Sequence, residues 1–430
     1  MLAVGSLRVE RMVHGGVALA RLAAGEVVLV AGALPGELVS VELERQKGVM
    51  RGRVTAVLEA SPHRVAPPAH PGLDYGHVAY PHQLELKREV VADALRRAFG
   101  AGAPEVLPPL PDVVPSPTEW RYRNVVQPAV AWRGGRAELG YRRPGSSEVV
   151  VLDSDPVATP GVDAAYQRVR EALSRAAEEG RRPRVREVVI RANDEGEALA
   201  ALVGTGEARH ALDLGHRLVE AGLAGVSWAP ADPRGRFRRG AERLAGRRTV
   251  LQRFGALTLS VSATSFSQPN AAGAARLYAD LAAWAGEGGE ALELYAGGGA
   301  IAFHLAPRFG RVTALEVDSG AVARGRADAE RLGVANVRFV KGDARRLAPP
   351  EGVDLVVVDP PRSGLSAELR QALAAGDFAR LLYVSCDAAT WARDVADLHL
   401  RGLRLVRARP YDLYPHTHHV EVLSLLERVA

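Results

Sequence analysis

The 430-residue chain contains a single cysteine, and this scarcity limits what thiol chemistry it can carry out. One thiol cannot close an intrachain disulfide or supply the several thiolates of a zinc or iron–sulfur site. Long apolar runs are also missing, because no stretch approaches the roughly 18 residues of a membrane-spanning helix. The first ten residues lack the apolar core of a signal peptide. We therefore expect a cytoplasmic protein that does not enter a membrane.

Lysine is scarce too, since only Lys47, Lys87 and Lys341 among the 55 basic residues are not arginine. Residues 261–430 carry 19 basic and 20 acidic side chains, so the surplus of positive charge lies in residues 1–260. A GC-rich genome would explain the preference for arginine, though not this asymmetry. A basic front half joined to a neutral back half indicates that the front half docks on a polyanion.

The order of predicted strands and helices divides the chain into three predicted domains. Residues 1–58 contain short strands separated by turns and fit a five-stranded barrel of the oligonucleotide-binding type, with other small barrels fitting nearly as well. Residues 59–260 mix both kinds of segment and predict an α+β middle domain. Residues 261–430 alternate strands with helices, which predicts a doubly wound, mostly parallel α/β sheet of the Rossmann-like type.

A glycine-rich turn in the last domain predicts a nucleotide-cofactor site. Three consecutive glycines follow a predicted strand and open a helix, so Gly297 and Gly299 allow a tight turn and close approach to a ligand. Glu316 and Asp343 follow the next two strands, where they suit ribose hydroxyls and an adenine edge. Dinucleotide sites space their glycines differently, and the uninterrupted run favours S-adenosylmethionine.

Chemically reactive side chains follow further strands of the same predicted sheet. Asp359 follows the fourth strand, held by two prolines, and Cys386 follows the fifth. Each has an ordinary structural explanation alone, such as a helix cap for Asp359 or buried filler for Cys386. Because the carboxyl ends of parallel strands share one edge of a sheet, the combination predicts an active site with a cysteine nucleophile.

These segments resemble the RNA 5-methyluridine (uracil-C5) methyltransferases, and the resemblance covers most of the chain. The motifs that carry it are Ser265-Phe-Ser-Gln-Pro-Asn270, Leu292 to Ala302, Asp359-Pro-Pro-Arg-Ser-Gly-Leu365, Val384-Ser-Cys-Asp387 and Pro415-His-Thr-His-His-Val-Glu421. Residues 1–58 are similar to the TRAM domain of many members. The resemblance implies a class I methyltransferase domain at residues 261–430.

The resemblance also implies roles for individual residues. Cys386 matches the family's nucleophile and Glu421 its base, and the positions that contact the cofactor are Gln268, Tyr295, Glu316 and Asp359. Uracil C5 is a poor nucleophile, but thiolate addition at C6 makes C5 enolate-like and able to accept a methyl group. A base then removes the C5 proton, and elimination frees the cysteine.

Two departures from the family's pattern stand out. Many relatives carry four cysteines after the barrel that hold a [4Fe–4S] cluster, whereas residues 67–77 here contain none. We therefore expect no iron–sulfur cluster, and packing must order that region. Ala300 stands where relatives often have asparagine, so no side-chain contact with the cofactor is carried over to it.

The expected function is S-adenosylmethionine-dependent methylation of uracil C5 in RNA by a monomeric enzyme. Large-subunit (23S) ribosomal RNA is favoured over transfer RNA, because barrel-bearing relatives often act there. RNA cytosine-C5 methylation is an alternative, but those enzymes generally place a cysteine beside the prolines that follow Asp359. An inactive RNA-binding protein is a third reading, against which the retention of Cys386 and Glu421 argues.

Aromatic residues among the arginines of the middle domain are candidates for stacking on RNA bases. They are Trp120, Tyr122 and Tyr141. Stacking of this kind contributes about 1–3 kcal/mol per base, although aromatic residues in such segments more often belong to a core.

Overall fold

The computed structural model describes residues 2–100, 107–181, 183–233, 237 and 239–429, with side chains from residue 5 onward. It contains a closed barrel, a mixed α+β unit and a doubly wound α/β sheet. The predicted fold class is thereby confirmed. In the part of the chain that is described, no helix combines the length and apolarity needed to cross a bilayer.

The N-terminal barrel closes in the order β1-β2-β3-β5-β4. Its strands are β1 (Leu2–Val13), β2 (Val17–Arg21), β3 (Val27–Ala31), β4 (Leu38–Gln46) and β5 (Val49–Glu59). Alternate apolar side chains point inward, as Val28, Val30, Val39 and Val41 do with no exposed surface. Closure leaves no unpaired sheet edge, and the five-stranded barrel matches the prediction.

A single long helix, α1 (Tyr80–Phe99), follows the barrel. Its residues Val91 and Leu95 share a hydrophobic core with Trp391 and Leu398 of the C-terminal domain. Its other buried apolar residues, Leu86 and Val90, belong to the core of the barrel. The helix therefore links the two ends of the chain.

The middle unit is built on an eight-stranded sheet with the order β13-β12-β11-β10-β7-β8-β9, to which β6 pairs at β10. The strands are β6 (Val125–Val126), β7 (Ala129–Arg133), β8 (Arg136–Arg142), β9 (Val149–Val151), β10 (Val185–Ala192), β11 (Ala198–Gly204), β12 (Gly225–Pro230) and β13 (Glu242–Gly246). Two helices, α2 (Pro160–Glu178) and α3 (Leu212–Glu220), contribute to its core.

The C-terminal sheet has the order β18-β17-β16-β19-β20-β22-β21, preceded by a separate hairpin of β14 and β15. The strands are β14 (Val250–Phe254), β15 (Leu257–Val261), β16 (Gly288–Leu294), β17 (Phe309–Glu316), β18 (Val337–Lys341), β19 (Leu355–Val358), β20 (Arg380–Ser385), β21 (Leu403–Tyr411) and β22 (Glu421–Arg428). The helices are α4 (Ala271–Ala285), α5 (Ala300–Leu305), α6 (Ser319–Leu332), α7 (Ala367–Ala375) and α8 (Ala388–Leu400). In the seven-stranded sheet from β16 to β22, β22 alone runs opposite to the other strands, since it pairs antiparallel with both β20 and β21.

The strand order reverses between β16 and β19, which creates a crevice at the carboxyl ends of these strands. The hairpin of β14 and β15 is joined to helix α6 of this domain. The backbone N–H and the hydroxyl of Ser260 both donate to the carboxylate of Asp328 at 2.7 Å. This hairpin and α1 both lie before residue 261 and contact the last domain. The domain boundaries at residues 58 and 260 stay predictions.

The cysteine-free stretch 67–77 is ordered by packing and hydrogen bonds. Leu73 forms a small apolar cluster with Tyr122 and Val157. The ring of His70 lies 4.5 Å from that of Tyr141, whose hydroxyl donates to Asp155 at 2.5 Å. Tyr122 is buried, which leaves its ring no free face for an RNA base. Tyr141 is half-buried, and its stacking on RNA stays a prediction.

Candidate active site

A cavity of about 1060 Å³ lies in the crevice at the carboxyl ends of the C-terminal sheet. Gly297 and Glu316 line one side of it, and Cys386 and Glu421 line the other. The strand order explains this meeting, because β16 and β17 lie on one side of the switch point while β20 and β22 lie on the other. Of the nine residues predicted to form the site, seven line this cavity: Gln268, Tyr295, Gly297, Glu316, Asp359, Cys386 and Glu421.

The glycine turn is held in place by the carboxylate of Glu316. One oxygen accepts from the backbone N–H of Gly297 at 2.9 Å, and the other accepts from that of Asp318 at 2.7 Å. Tyr295 and Gly297 have φ values of +62° and +55°, so the chain reverses sharply after β16. Glu316 thus connects the ends of two neighbouring strands at the rim of the cavity.

Gly299 has a structural reason to be glycine. Its φ is +85°, and a Cβ atom there would come within 2.4 Å of the Phe339 ring. The residue does not line the cavity but begins α5 beneath it. Its contribution is close packing of the turn against β18.

Asp343 also lies outside the cavity wall. It follows β18 as predicted, but its carboxylate pairs with the Arg345 guanidinium at 2.8 Å and accepts from the Arg345 backbone N–H at 3.1 Å. The hydrogen bonds from Arg345 lower the pKa of Asp343. The structure therefore does not bring this carboxylate together with the other predicted site residues.

Three ionisable groups on the reactive side of the cavity have raised pKa values. Burial raises the pKa of Glu421 to about 8, with the charge of Asp359 as the next cause. Asp359 is partly accessible, yet the loss of surrounding water raises its pKa to about 7. Burial raises the pKa of Cys386 to about 12, helped by both carboxylates. A positive charge arriving nearby would shift all three groups toward their ionised forms.

Glu293 is a site residue that the sequence analysis missed. It lies in β16, is 1% exposed and lines the cavity. Its Oε2 atom has no hydrogen-bond partner among the described residues, and burial raises its pKa well above the usual range. A carboxylate in an otherwise apolar strand end was the available signal, because burying such a group without a partner is costly.

The carboxyl groups of the cavity fit S-adenosylmethionine. That molecule carries a positive sulfonium and an ammonium group, whereas the cavity offers the carboxyl groups of Glu293, Asp359 and Glu421. Oxygens of Glu293 and Glu421 have no hydrogen-bond partner among the residues that the structure describes. Glu316 at the end of β17 is the acceptor suited to ribose hydroxyls. The carboxyl groups of the cavity are therefore suited to a nucleoside that carries positive charge.

The segment around Gln268 closes another part of the wall. Buried Arg191 in β10 donates to the hydroxyl of Ser267 at 2.5 Å and to the carbonyl of Ser265 at 2.8 Å. The Gln268 side-chain oxygen accepts from the Tyr414 hydroxyl at 3.3 Å. Phe266 lies in the same segment, lines the cavity and is 77% exposed. Its role as an exposed aromatic residue was also missed, because sequence alone does not separate it from core phenylalanines.

The barrel reaches the neighbourhood of the cysteine through its first turn. A second cavity of about 120 Å³ is lined by His14, Arg362, Cys386 and Asp387. His14 Nε2 lies 3.2 Å from the carboxylate of Asp387, and this hydrogen bond raises the pKa of His14. Arg362 lines both cavities. Cys386 therefore has one face toward the large cavity and one toward the barrel.

Two family models match the C-terminal part of the chain. One, described as tRNA (Uracil-5-)-methyltransferase, matches residues 352–429, and the other, a methyltransferase domain, matches residues 291–381. Both lie in the domain that forms the large cavity. The first covers the segment with Asp359, Cys386 and Glu421.

Whole-chain comparisons extend this likeness to the barrel and middle unit. Uncharacterized RNA methyltransferases of Gloeobacter violaceus and Thermosynechococcus vestitus are each 31% identical over 98% of this chain and cover 95% and 97% of their own lengths. Among solved structures, the Pyrococcus abyssi tRNA (uracil-54, C5)-methyltransferase in complex with S-adenosyl-L-homocysteine superimposes with a TM-score of 0.77. It is 26% identical and covers 99% of this chain and 100% of its own.

The cavity, the sheet and these relatives agree on the kind of enzyme this is. It is an S-adenosylmethionine-dependent RNA methyltransferase with an N-terminal TRAM-like barrel. Since the likeness spans nearly the whole chain and includes the uracil-5 segment, the chain belongs to the RNA (uracil-5-)-methyltransferase family.

Proposed function

We propose that this enzyme makes 5-methyluridine in RNA through a covalent bond between Cys386 and C6 of the target uracil. The observation that carries the proposal is that Cys386, Glu421 and the Gly297 turn line one cavity. A nucleophile, a proton acceptor and a cofactor turn are what this reaction requires. Family membership supports uracil over cytosine as the base.

The cofactor would be held by the groups that line its half of the cavity. Glu316 suits the ribose, Tyr295 and Gly297 the nucleoside, and Glu293 and Asp359 the positively charged end. Gln268 lines the same wall, where it would meet the cofactor or the target base. When bound, S-adenosylmethionine supplies an electrophilic methyl group to the activated C5 atom.

The chain's own residues carry out the remaining chemistry. Cys386 as a thiolate forms the S–C6 bond, and the electrons of the C5=C6 double bond move into the ring to give an enolate. After C5 is methylated, Glu421 takes the C5 proton. The released electron pair restores the C5=C6 bond and expels the Cys386 thiolate.

The raised pKa values bear on the timing of these steps. At neutral pH the Cys386 thiol and much of Glu421 are protonated in the free protein, because their pKa values are raised to about 12 and about 8. Binding of a cationic cofactor favours ionisation of both. A base with a pKa near the working pH is well matched to proton transfer, and such a base contributes about 10²–10⁴-fold.

Substitutions at the two reactive residues test the mechanism. Cys386→Ala is expected to abolish methyl transfer while RNA still binds, because it removes only the nucleophile. Glu421→Gln is expected to accumulate a covalent protein–RNA adduct, because addition proceeds but proton removal stops. Methyl incorporation measures the first variant, and denaturing gels with natural RNA measure the adduct of the second. With 5-fluorouridine RNA the unaltered enzyme should itself be trapped through Cys386, since fluorine at C5 leaves no proton to remove. Absence of a Cys386-dependent band shift with the unaltered enzyme would sink the covalent mechanism.

We favour large-subunit (23S) ribosomal RNA as the substrate and transfer RNA as the second candidate. The TRAM-like barrel supports the first, and the second is favoured by the Pyrococcus neighbour, which acts on uracil 54 of tRNA. We further propose that the enzyme acts in the cytoplasm as a monomer. Mapping 5-methyluridine in ribosomal and transfer RNA from a strain lacking this gene decides between the substrates, because one site disappears from one RNA.

A further inference from the structure

The carboxylate of Glu421 is not fixed by hydrogen bonds to other described residues. Both carboxylate oxygens are buried and have no hydrogen-bond partner among the described residues. The residue is the first of β22, directly after residues 412–420, which we call the base loop. The position of the carboxylate therefore depends on how this loop is held.

Helix α1 holds the start of the base loop through a buried ion pair. Lys87 Nζ lies 2.6 Å from Asp412 Oδ1, and both side chains are fully buried. The same ammonium donates to the Tyr414 carbonyl at 3.1 Å. Asp412 Oδ1 in turn accepts from the Tyr414 backbone N–H at 3.0 Å. Lys87 is one of three lysines in a chain that otherwise uses arginine.

Gln83, one helical turn before Lys87, holds the middle of the loop. Its side-chain oxygen accepts from the His416 backbone N–H at 2.8 Å, and its amide nitrogen lies 3.0 Å from His416 Nδ1. His416 has a φ of +64°, a conformation that side-chain-bearing residues adopt at a cost. Its ring stacks on Trp120 with centroids 3.6 Å apart. The unfavourable backbone conformation of His416 is thus stabilised by Gln83 and Trp120, which lie far before it in the sequence.

Other front-half residues complete the same pattern. The Tyr75 backbone N–H donates to the His416 carbonyl at 3.0 Å, and the Tyr122 hydroxyl donates to the Pro415 carbonyl at 3.0 Å. Asp74 accepts from the His418 backbone N–H at 2.9 Å. The loop that precedes Glu421 is therefore fastened largely to residues 74–122, outside the methyltransferase sheet.

We propose that Gln83 and Lys87 are positioning residues that aim the Glu421 carboxylate at the C5 proton of the methylated adduct. The inference rests on the proposed function. Neither residue itself lines the cavity, so both act through the base loop. In the step they serve, the C5–H bond breaks, its proton passes to Glu421, its electron pair re-forms C5=C6, and the S–C6 bond breaks to release the Cys386 thiolate.

The proposal predicts a selective defect. Addition of Cys386 and methylation of C5 do not use Glu421, whereas release of the product does. Loosening the base loop should therefore slow release alone. We expect release to slow roughly tenfold, a part of the about 10²–10⁴-fold that a positioned base contributes.

Two independent variants test this on the full chain. Lys87→Met combined with Asp412→Asn removes the ion pair without leaving a buried charge unpaired, and Gln83→Met removes the loop contact while leaving the ion pair intact. Arg96→Met is the matched control, because Arg96 is an exposed residue of the same helix. Calorimetric binding of S-adenosylmethionine confirms that each protein is folded.

The readout is a single turnover with natural RNA and, in parallel, with 5-fluorouridine RNA. Both test variants should accumulate a Cys386-dependent adduct on natural RNA while forming the fluorouridine adduct at the unaltered rate, and the control should do neither. If either test variant shows no accumulation, or if both kinds of adduct form equally slowly, the positioning role is refuted. Absence of the fluorouridine adduct with the unaltered enzyme would instead refute the proposed function.

Discussion

The two sides of the large cavity are built in different ways. Most of the cofactor side comes from residues 293–316, in which Gly297 and Glu316 are joined by a single 2.9 Å hydrogen bond, and Gln268 and Asp359 of the same domain complete it. The reactive side is assembled from distant parts of the chain, since His14 contacts Asp387 and Lys87 contacts Asp412. Cofactor binding should therefore be a property of the last domain, whereas uracil chemistry depends on the whole chain.

Removing the barrel is expected to separate RNA binding from cofactor binding most strongly. A protein lacking residues 1–58 should lose at least about tenfold in RNA affinity, because it loses basic docking surface. The slope of log affinity against log salt should fall by about 0.7 for each lost contact with a phosphate of single-stranded RNA. Cofactor affinity should stay within about twofold. Filter binding at several salt concentrations and calorimetry measure the two quantities.

Equal RNA affinity for the truncated protein would remove the docking role of the barrel. His14→Gln is a finer companion variant, because it removes the charge beside Asp387 but keeps the barrel. It should leave RNA affinity near that of the unaltered protein.

On the cofactor side, Glu316 and Asp343 should respond unequally. Glu316→Gln weakens both backbone contacts that hold the turn, and charge-assisted hydrogen bonds contribute about 1.5–3 kcal/mol each. We expect at least a roughly tenfold loss of cofactor affinity. Asp343→Asn should cost less than about threefold, because that carboxylate is occupied by Arg345. A larger loss for Asp343→Asn would mean that Arg345 releases it to the cofactor.

The last expected effect concerns stability. Because burial raises the pKa of Glu421 from its usual value near 4.5 to about 8, the folded state binds the extra proton between these two values. Stability contributed by the protonated group is present below about pH 4.5 and is lost as the pH rises toward 8. Glu421→Gln cannot ionise, so its advantage over the unaltered protein should grow from pH 5 to pH 8.

Thermal unfolding across this pH range measures the difference, with about 2–4 °C expected for each kcal/mol in a domain of this size. Glu427→Gln at the far end of β22 is a suitable control, because Glu427 is not buried in the cavity. A constant difference between Glu421→Gln and the unaltered protein would show that Glu421 is ionised at rest.

Much of the C-terminal sheet was predictable from sequence because its strands are short apolar runs separated by helices. Glu316 lies at the end of β17, Asp343 follows β18 and Cys386 follows β20, each as predicted. The barrel was predictable for the same kind of reason, since alternate residues report which side of a strand is buried.

Contacts between remote segments were not predictable. Lys87 and Asp412 are 325 positions apart, and periodicity reports that a residue is buried but not which partner it meets. Asp343 is a second example. Its position after a strand was predicted correctly, but its pairing with Arg345 was not predicted. The partners of charged side chains are decided by three-dimensional packing.

The burial of Cys386 bears on how readily its sulfur is oxidised. Oxidants and alkylating compounds attack the thiolate form of cysteine far faster than the thiol. Burial raises the pKa of Cys386 and so favours the thiol in the free protein. The one sulfhydryl group of this chain therefore lies where its environment disfavours the form that oxidants attack.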